Sequence, residues 1–115
     1  MSIKVDRGYF NGLEGALNDI KDKALWPTTY ATDHATAAQL HWHSEDVHGY
    51  VVEGKIHITD NDGHRHDLQA GDKITIPART LHAEGEIDAP VALVVGLPVA
   101  VPLDQFLFAR EPDDL

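Results

Sequence analysis

The sequence predicts an all-β fold with one short helix near its start. Three observations carry this. Short runs rich in β-branched and aromatic residues recur after residue 27, turn signals separate them at intervals of about eight to twelve residues, and one continuous apolar run, Val91–Leu97, fits a strand buried on both faces. That pattern is expected of a sandwich or a barrel.

The helix is read from Leu13 to Ala24, where Leu13, Ala16, Leu17, Ile20 and Ala24 fall on one face. Pro27 is expected to end it, since proline breaks a helix and biases its predecessor towards extended geometry. Thr28–Thr32 and Ala37–His43 read as strands, and Val47–Gly54 as a third that stops at the glycine. Lys55–Thr59 alternates Ile56 and Ile58 with polar residues. Asp60-Asn61-Asp62-Gly63 is a hairpin signal, because Asp-Gly tolerates the positive φ of a tight turn. His64–Leu68 is the return strand, Ala70-Gly71-Asp72 the next turn, and Lys73–Ile76 another strand. Gly49, inside a strand, marks a bulge or a close backbone approach. Residues beyond Arg110 are expected to fray.

The chain has 115 residues, no cysteine and a formal net charge of −10. One domain is expected over residues 1–115, its barrel core at about 28–100, flanked by extensions 1–27 and 101–115. Lack of cysteine removes disulfides, thiolate ligands and cysteine nucleophiles. The acidic balance argues against nucleic-acid binding, which needs clustered Lys and Arg. Asp60, Asp62, Asp72 and Glu111–Asp114 read as a solvated acidic surface. No apolar run is long enough to span a bilayer and no signal-like start is evident, so no membrane partner and a cytoplasmic location are expected.

Two segments carry the chemistry. In an extended chain residues two apart share a face, roughly 7 Å apart, so His41 and His43 can aim both imidazoles at one point. His82, after Gly71-Asp72-Lys73-Ile74-Thr75-Ile76-Pro77, can reach the same point from a separate strand. Neutral imidazole is a common ligand for divalent transition metals. His64 and His66 repeat the spacing beside a hairpin turn and read as an exposed edge. His57 reads as part of a polar strand face, and His34 as a loop residue. Trp42 and Tyr50 read as core or interface.

The run His41-x-His43 followed by Tyr50-Val51-Val52-Glu53-Gly54 resembles the first motif of the cupin superfamily. Gly71-x5-Pro77-Ala78-Arg79-x2-His82 resembles its second, and the two together span about residues 35 to 97. The resemblance implies a double-stranded β-helix, or jelly-roll barrel, with a pocket between two antiparallel sheets. It also implies one divalent metal (Fe, Ni, Mn, Cu or Zn) held by three histidines and a glutamate. Carried over, His41 and His43 match the paired ligands and His82 the histidine of the second motif.

Two departures stand out. Val47 occupies the glutamate position counted back from Gly54. One residue on, His48 stands at a spacing from His43 that some members use for the glutamate, which makes it a candidate fourth ligand. Asp46 and Glu45 are alternatives, and so is the absence of any further donor from this segment. Arg79 replaces the usual glycine of the second motif and can place a cation at the rim.

The expected function is a small metal-dependent enzyme, dioxygenase-, isomerase- or decarboxylase-like, acting on a small organic acid, phenol or dicarbonyl. The alternative is a non-catalytic module that binds a small ligand, with a structural metal or none. No catalytic acid or base can be named. A homodimer is expected, because Val91–Val101, Leu103, Phe106, Leu107 and Phe108 exceed the apolar needs of one small barrel.

Overall fold

The computed structural model describes residues 2–115. Eight strands form two antiparallel sheets that face one another as a jelly-roll barrel. They are β1 (Lys4–Asp6), β2 (Trp26–Thr32), β3 (Val47–Glu53), β4 (Lys55–Asp60), β5 (Arg65–Gln69), β6 (Lys73–Ile76), β7 (His82–Glu84) and β8 (Val91–Leu97). The five-stranded sheet has the order β1-β6-β3-β8-β2 and the three-stranded sheet β5-β4-β7. The all-β class and the single N-terminal helix are as the sequence predicts. Strands β1 and β7 are too short to announce themselves in it. Among the described residues, no helix is long and apolar enough to cross a membrane.

Alternation along β3 sets both layers of packing. Val47 and Val51 face inward, where they meet Ile58, Leu68, Ile74, Ile76, Val95 and Leu97 from four other strands. Tyr50 faces outward and packs with Val94 against Ala16 and Ile20 of α1 (Gly12–Asp22). A one-residue slip would exchange these two sets, so burial on both faces fixes the register. The bulge in β3 lies between Val51 and Glu53, not at Gly49. Gly49 is instead a close approach: a Cβ there would stand 3.0 Å from Ile74 Cγ2. Gly54 turns the chain into β4 with φ 83°, and any side chain there would strike Pro90 and Val91.

The helix is shorter than its periodicity predicts and buries a narrower face. Leu13 and Leu17 remain 51% and 45% exposed, which leaves Ala16 and Ile20 as its buried residues. Pro27 does not end it. Ala24 adopts a left-handed φ of 55°, and the Leu25 N–H bonds back to the Ile20 carbonyl at 2.9 Å, which satisfies the last turn. Pro27 then sits in β2, an edge strand, where a missing N–H is tolerated.

Asp19 pins the helix to the sheet. Its Oδ2 accepts hydrogen bonds from Tyr50 Oη at 2.6 Å and Lys73 Nζ at 3.0 Å, and its Oδ1 from Tyr9 Oη and Lys23 Nζ. Lys73 is only 3% exposed and its ammonium lies over the rings of Tyr9 and Tyr50. Burial pushes the Asp19 carboxyl up, but these four donors outweigh it and hold the group far below the usual carboxylate range. Acidity in this chain is therefore not only solvated surface. Asp72, read as part of that surface, is also buried, where it receives the backbone N–H groups of Gly8 and Gln69.

Removing the Asp19 charge strands the buried Lys73 cation, so Asp19→Asn is expected to lower unfolding stability by about 3–5 kcal/mol. Because the folded-state value is depressed, this contribution is complete above the ordinary value of 3.8 and declines as pH falls below it. Urea unfolding of both proteins at neutral pH and near pH 3 checks this. The gap between them should narrow in acid.

Candidate metal centre

The segment carrying His41 and His43 is not a regular strand. It is an extended stretch zipped onto β7 by isolated bridges. His41 and His82 exchange both backbone hydrogen bonds, at 2.9 and 3.0 Å, the Ala38 N–H reaches the Glu84 carbonyl, and the Arg79 N–H reaches the His43 carbonyl. Opposed residues of an antiparallel pair share a face. The rings of His41 and His82 therefore stand with centroids 4.4 Å apart, and that of His43 lies 5.1 Å from each. One ring nitrogen from each of the three falls within 4.8 Å of the others.

His48 is elsewhere. It lies on the outward face of β3 with Tyr50, opposite Val47 and Gly49, which line the barrel cavity. Burial and the neighbouring Lys73 push its imidazole below its ordinary range. Asp46 is engaged too, with its Oδ1 accepting the Ala78 N–H at 2.7 Å. Glu45 borders a separate crevice that His43 also lines, and it is not among the three residues grouped as metal donors.

The carboxylate beside the histidines is Glu84. It follows His82 by two residues on β7 and so shares its face. Its Oε1 lies 3.2 Å from His41 Nε2 and its Oε2 3.3 Å from His82 Nε2. The same period-two reasoning that pairs His41 with His43 pairs His82 with Glu84. The signal was in the sequence, one motif later than the expected glutamate.

All three imidazoles are oriented through Nδ1. His41 Nδ1 donates to the Gln39 carbonyl at 2.7 Å, His82 Nδ1 to Thr80 at 2.8 Å and His43 Nδ1 to Phe108 at 3.1 Å. These bonds fix the tautomer and leave each Nε2 as a lone pair. Burial lowers His43 to about 4 and holds His82 below its ordinary range, so both stay neutral at physiological pH. Without a metal, the Glu84 carboxylate favours a second proton on His41, at Nε2, and so raises it; a bound ion would take that proton's place. Burial acts to raise Glu84 in turn, and the three histidines more than reverse that.

The donors fit a divalent cation. Glu84 Oε2 is buried with no hydrogen-bond partner and faces the His82 Nε2 lone pair. Two acceptors in contact repel each other unless a positive charge lies between them. Their 3.2–3.3 Å separations also match the edge of a coordination shell, about 3.3 Å for a tetrahedral ion with bonds of about 2.0–2.1 Å.

Beside the site a cavity of about 260 Å³ runs into the barrel. His43, His82 and Glu84 reach it, aliphatic side chains from β3, β4, β6 and β8 line it together with Ile87 and Leu107, and Tyr30 and Thr36 border it too. His57 borders it as well, contrary to its reading as a polar-face residue, with its ring where a Cβ on Gly85 would fall. A second donor group, Asp60, Asp62 and His64, lies in the exposed hairpin turn, where Asp60 Oδ1 already accepts two backbone N–H groups.

The sequence matches the model of the cupin domain family over residues 30–95, more than half of the chain. No protein of curated function matches it. Among solved structures it resembles a DUF861 family protein from Thermotoga maritima (TM-score 0.61, 18% identity, 84% of this chain and 99% of that one). It also resembles the DMSP lyase DddQ from Ruegeria pomeroyi (0.58, 17%, 67% and 39%) and RmlC from Streptococcus suis, in complex with dTDP-D-xylose (0.55, 16%, 74% and 49%). At these identities the likeness is one of fold.

The segment Phe108–Glu111 packs against the site. Trp42 and Arg110 exchange backbone hydrogen bonds, the Trp42 indole N–H donates to the Glu111 carbonyl, and Phe108 supplies the carbonyl that orients His43. Deleting residues 108–115 should therefore weaken metal binding by roughly 10–100-fold, the usual cost of losing an outer-shell partner. Metal titration of the full and shortened chains measures this, with circular dichroism to verify the fold.

Proposed function

The chain belongs to the cupin family, and from that premise we propose that it is a metal-dependent enzyme holding one divalent transition ion at His41, His43, His82 and Glu84. The observation that carries the reading is the cluster of three imidazoles, one ring nitrogen of each within 4.8 Å of the others, with Glu84 reaching His41 Nε2 through Oε1 at 3.2 Å and His82 Nε2 through an otherwise unpartnered Oε2 at 3.3 Å. His48, on the far face of β3, has no part in this ligand set.

A bound ion of this kind supplies Lewis-acid polarisation of an oxygen-bearing substrate or, if iron, a place for dioxygen. The chain's own residues do the rest. The carbonyls of Gln39, Thr80 and Phe108 hold the rings in place. Glu84 adds one negative charge to a set of otherwise neutral donors, and the aliphatic wall keeps water from the cavity side. Three of the four donors border the cavity, which favours a site open to a substrate over a closed structural one. We assign the reaction to a small organic acid, phenol or dicarbonyl, with isomerase-, decarboxylase- or dioxygenase-like chemistry.

A homodimer is inferred as well, supported by Trp26 and Tyr30, which are 54% and 43% exposed on the edge strand β2. Light scattering at micromolar concentration should give twice the chain mass, and a monomeric mass refutes the inference.

Elemental analysis of untagged protein after incubation with iron, nickel, manganese, copper or zinc tests the metal reading. Wild type and His48→Ala should hold near-stoichiometric metal, His82→Ala should hold none, and Glu84→Gln should bind roughly 10–100-fold more weakly. Wild type without metal, or loss confined to His48→Ala, overturns it.

A further inference from the structure

We propose that the ligand of this site is a monoanionic oxygen acid with a compact apolar body, bound head-first to the metal. The inference rests on the metal reading above and names the substrate class. It is carried by how polarity is distributed around the cavity. Ile56, Ile58, Ile74, Ile76, Leu93 and Val95 line it, and neither Lys nor Arg is among its described lining residues. Among the described lining residues the one carboxylate is Glu84, at the donor end, and Tyr30, Thr36 and His57 are the other polar members besides His43 and His82.

Charge sets the head group. A divalent ion with one carboxylate and three neutral imidazoles carries one net positive charge, which a single carboxylate, phenolate or enolate neutralises. Away from the donor end the wall is mainly aliphatic, with Tyr30, Thr36 and His57 as its polar members and no Lys or Arg among the described lining residues, so a second anionic group on the same molecule would lack a fixed counter-charge, a costly burial. Polyanions and phosphate esters are therefore disfavoured. Volume sets the body: a 150 Å³ apolar cavity holds benzene, so about 260 Å³ accepts one substituted ring or a chain of about six carbons. Each methylene buried is worth roughly three- to fourfold in affinity.

The test uses cobalt(II)-loaded protein, whose visible absorption bands report ligands arriving at the metal. Acetate, hexanoate and adipate are titrated as probes. Hexanoate should bind on the order of a hundredfold more tightly than acetate, and adipate, of equal length but with a second carboxylate, no better than acetate. Leu93→Trp, which fills the cavity at a partly buried position, should abolish the advantage of hexanoate while leaving acetate binding and the cobalt bands in place. Equal affinity for acetate and hexanoate overturns the apolar body. Adipate matching hexanoate overturns the single charge. Absence of cobalt bands is a different failure, that of the metal site itself, and removes this inference with it.

Discussion

The backbone pair between His41 and His82 is the constraint on which the site depends. Forty residues separate the two positions, yet their main chains exchange hydrogen bonds at 2.9 and 3.0 Å. Because opposed residues in an antiparallel pair project to one side, this bridge places two imidazoles together before any metal is considered. His43 and Glu84 then follow by the two-residue period of extended chain, one on each side of the bridge. A shift by one residue would send His41 and His43 to the opposite face. The donor set is thus a property of main-chain register.

Moving the carboxylate from the first motif to β7 has a steric consequence. Val47, where the family's pattern has its glutamate, points into the cavity and joins the aliphatic core with Ile76 and Leu97. A carboxylate there would have divided the cavity wall with a charged group. With Glu84 as the acidic member, the charge lies against His41 and His82 at the end of the cavity, and the barrel interior stays apolar. In the proposed ligand set β7, only three residues long, would supply two of the four donors.

The fold and the three histidines were legible because they rest on local rules. A continuous apolar run placed Val91–Leu97 and the turn at Gly71-Asp72 placed Lys73–Ile76, both to the residue, and the Asp62-Gly63 turn is where its chemistry put it, with φ 83° at Gly63. What the sequence hid depends on contacts far apart in the chain. Glu84 was passed over because the carboxylate was sought beside His43. The docked tail was missed because Arg110–Glu111 is polar and unpatterned, and its hold on Trp42 is made by backbone groups and one indole N–H. Helix length failed for a similar reason. The five apolar positions read on one face needed more sheet to cover them than Tyr50 and Val94 provide.

Arg79 shows how one local departure is partly absorbed by these distant contacts. It adopts a left-handed φ of 65°, the conformation that explains why glycine is usual at this point of the motif. A side chain there costs about 1–2 kcal/mol. The guanidinium lies 5.2 Å from the centre of the Trp42 ring, and Arg110 stands 5.5 Å from the same ring. Trp42 is 5% exposed but Arg79 itself is exposed, so its cation–π contact is worth about 0.5–1 kcal/mol. It offsets part of the strain. Arg79 also gives its backbone N–H to the His43 carbonyl, while Trp42 pairs with Arg110 next to the carbonyl that orients the His43 ring. The cation expected at the rim therefore lies over Trp42, between the second motif and the first, while the contact with His43 is made by the Arg79 backbone.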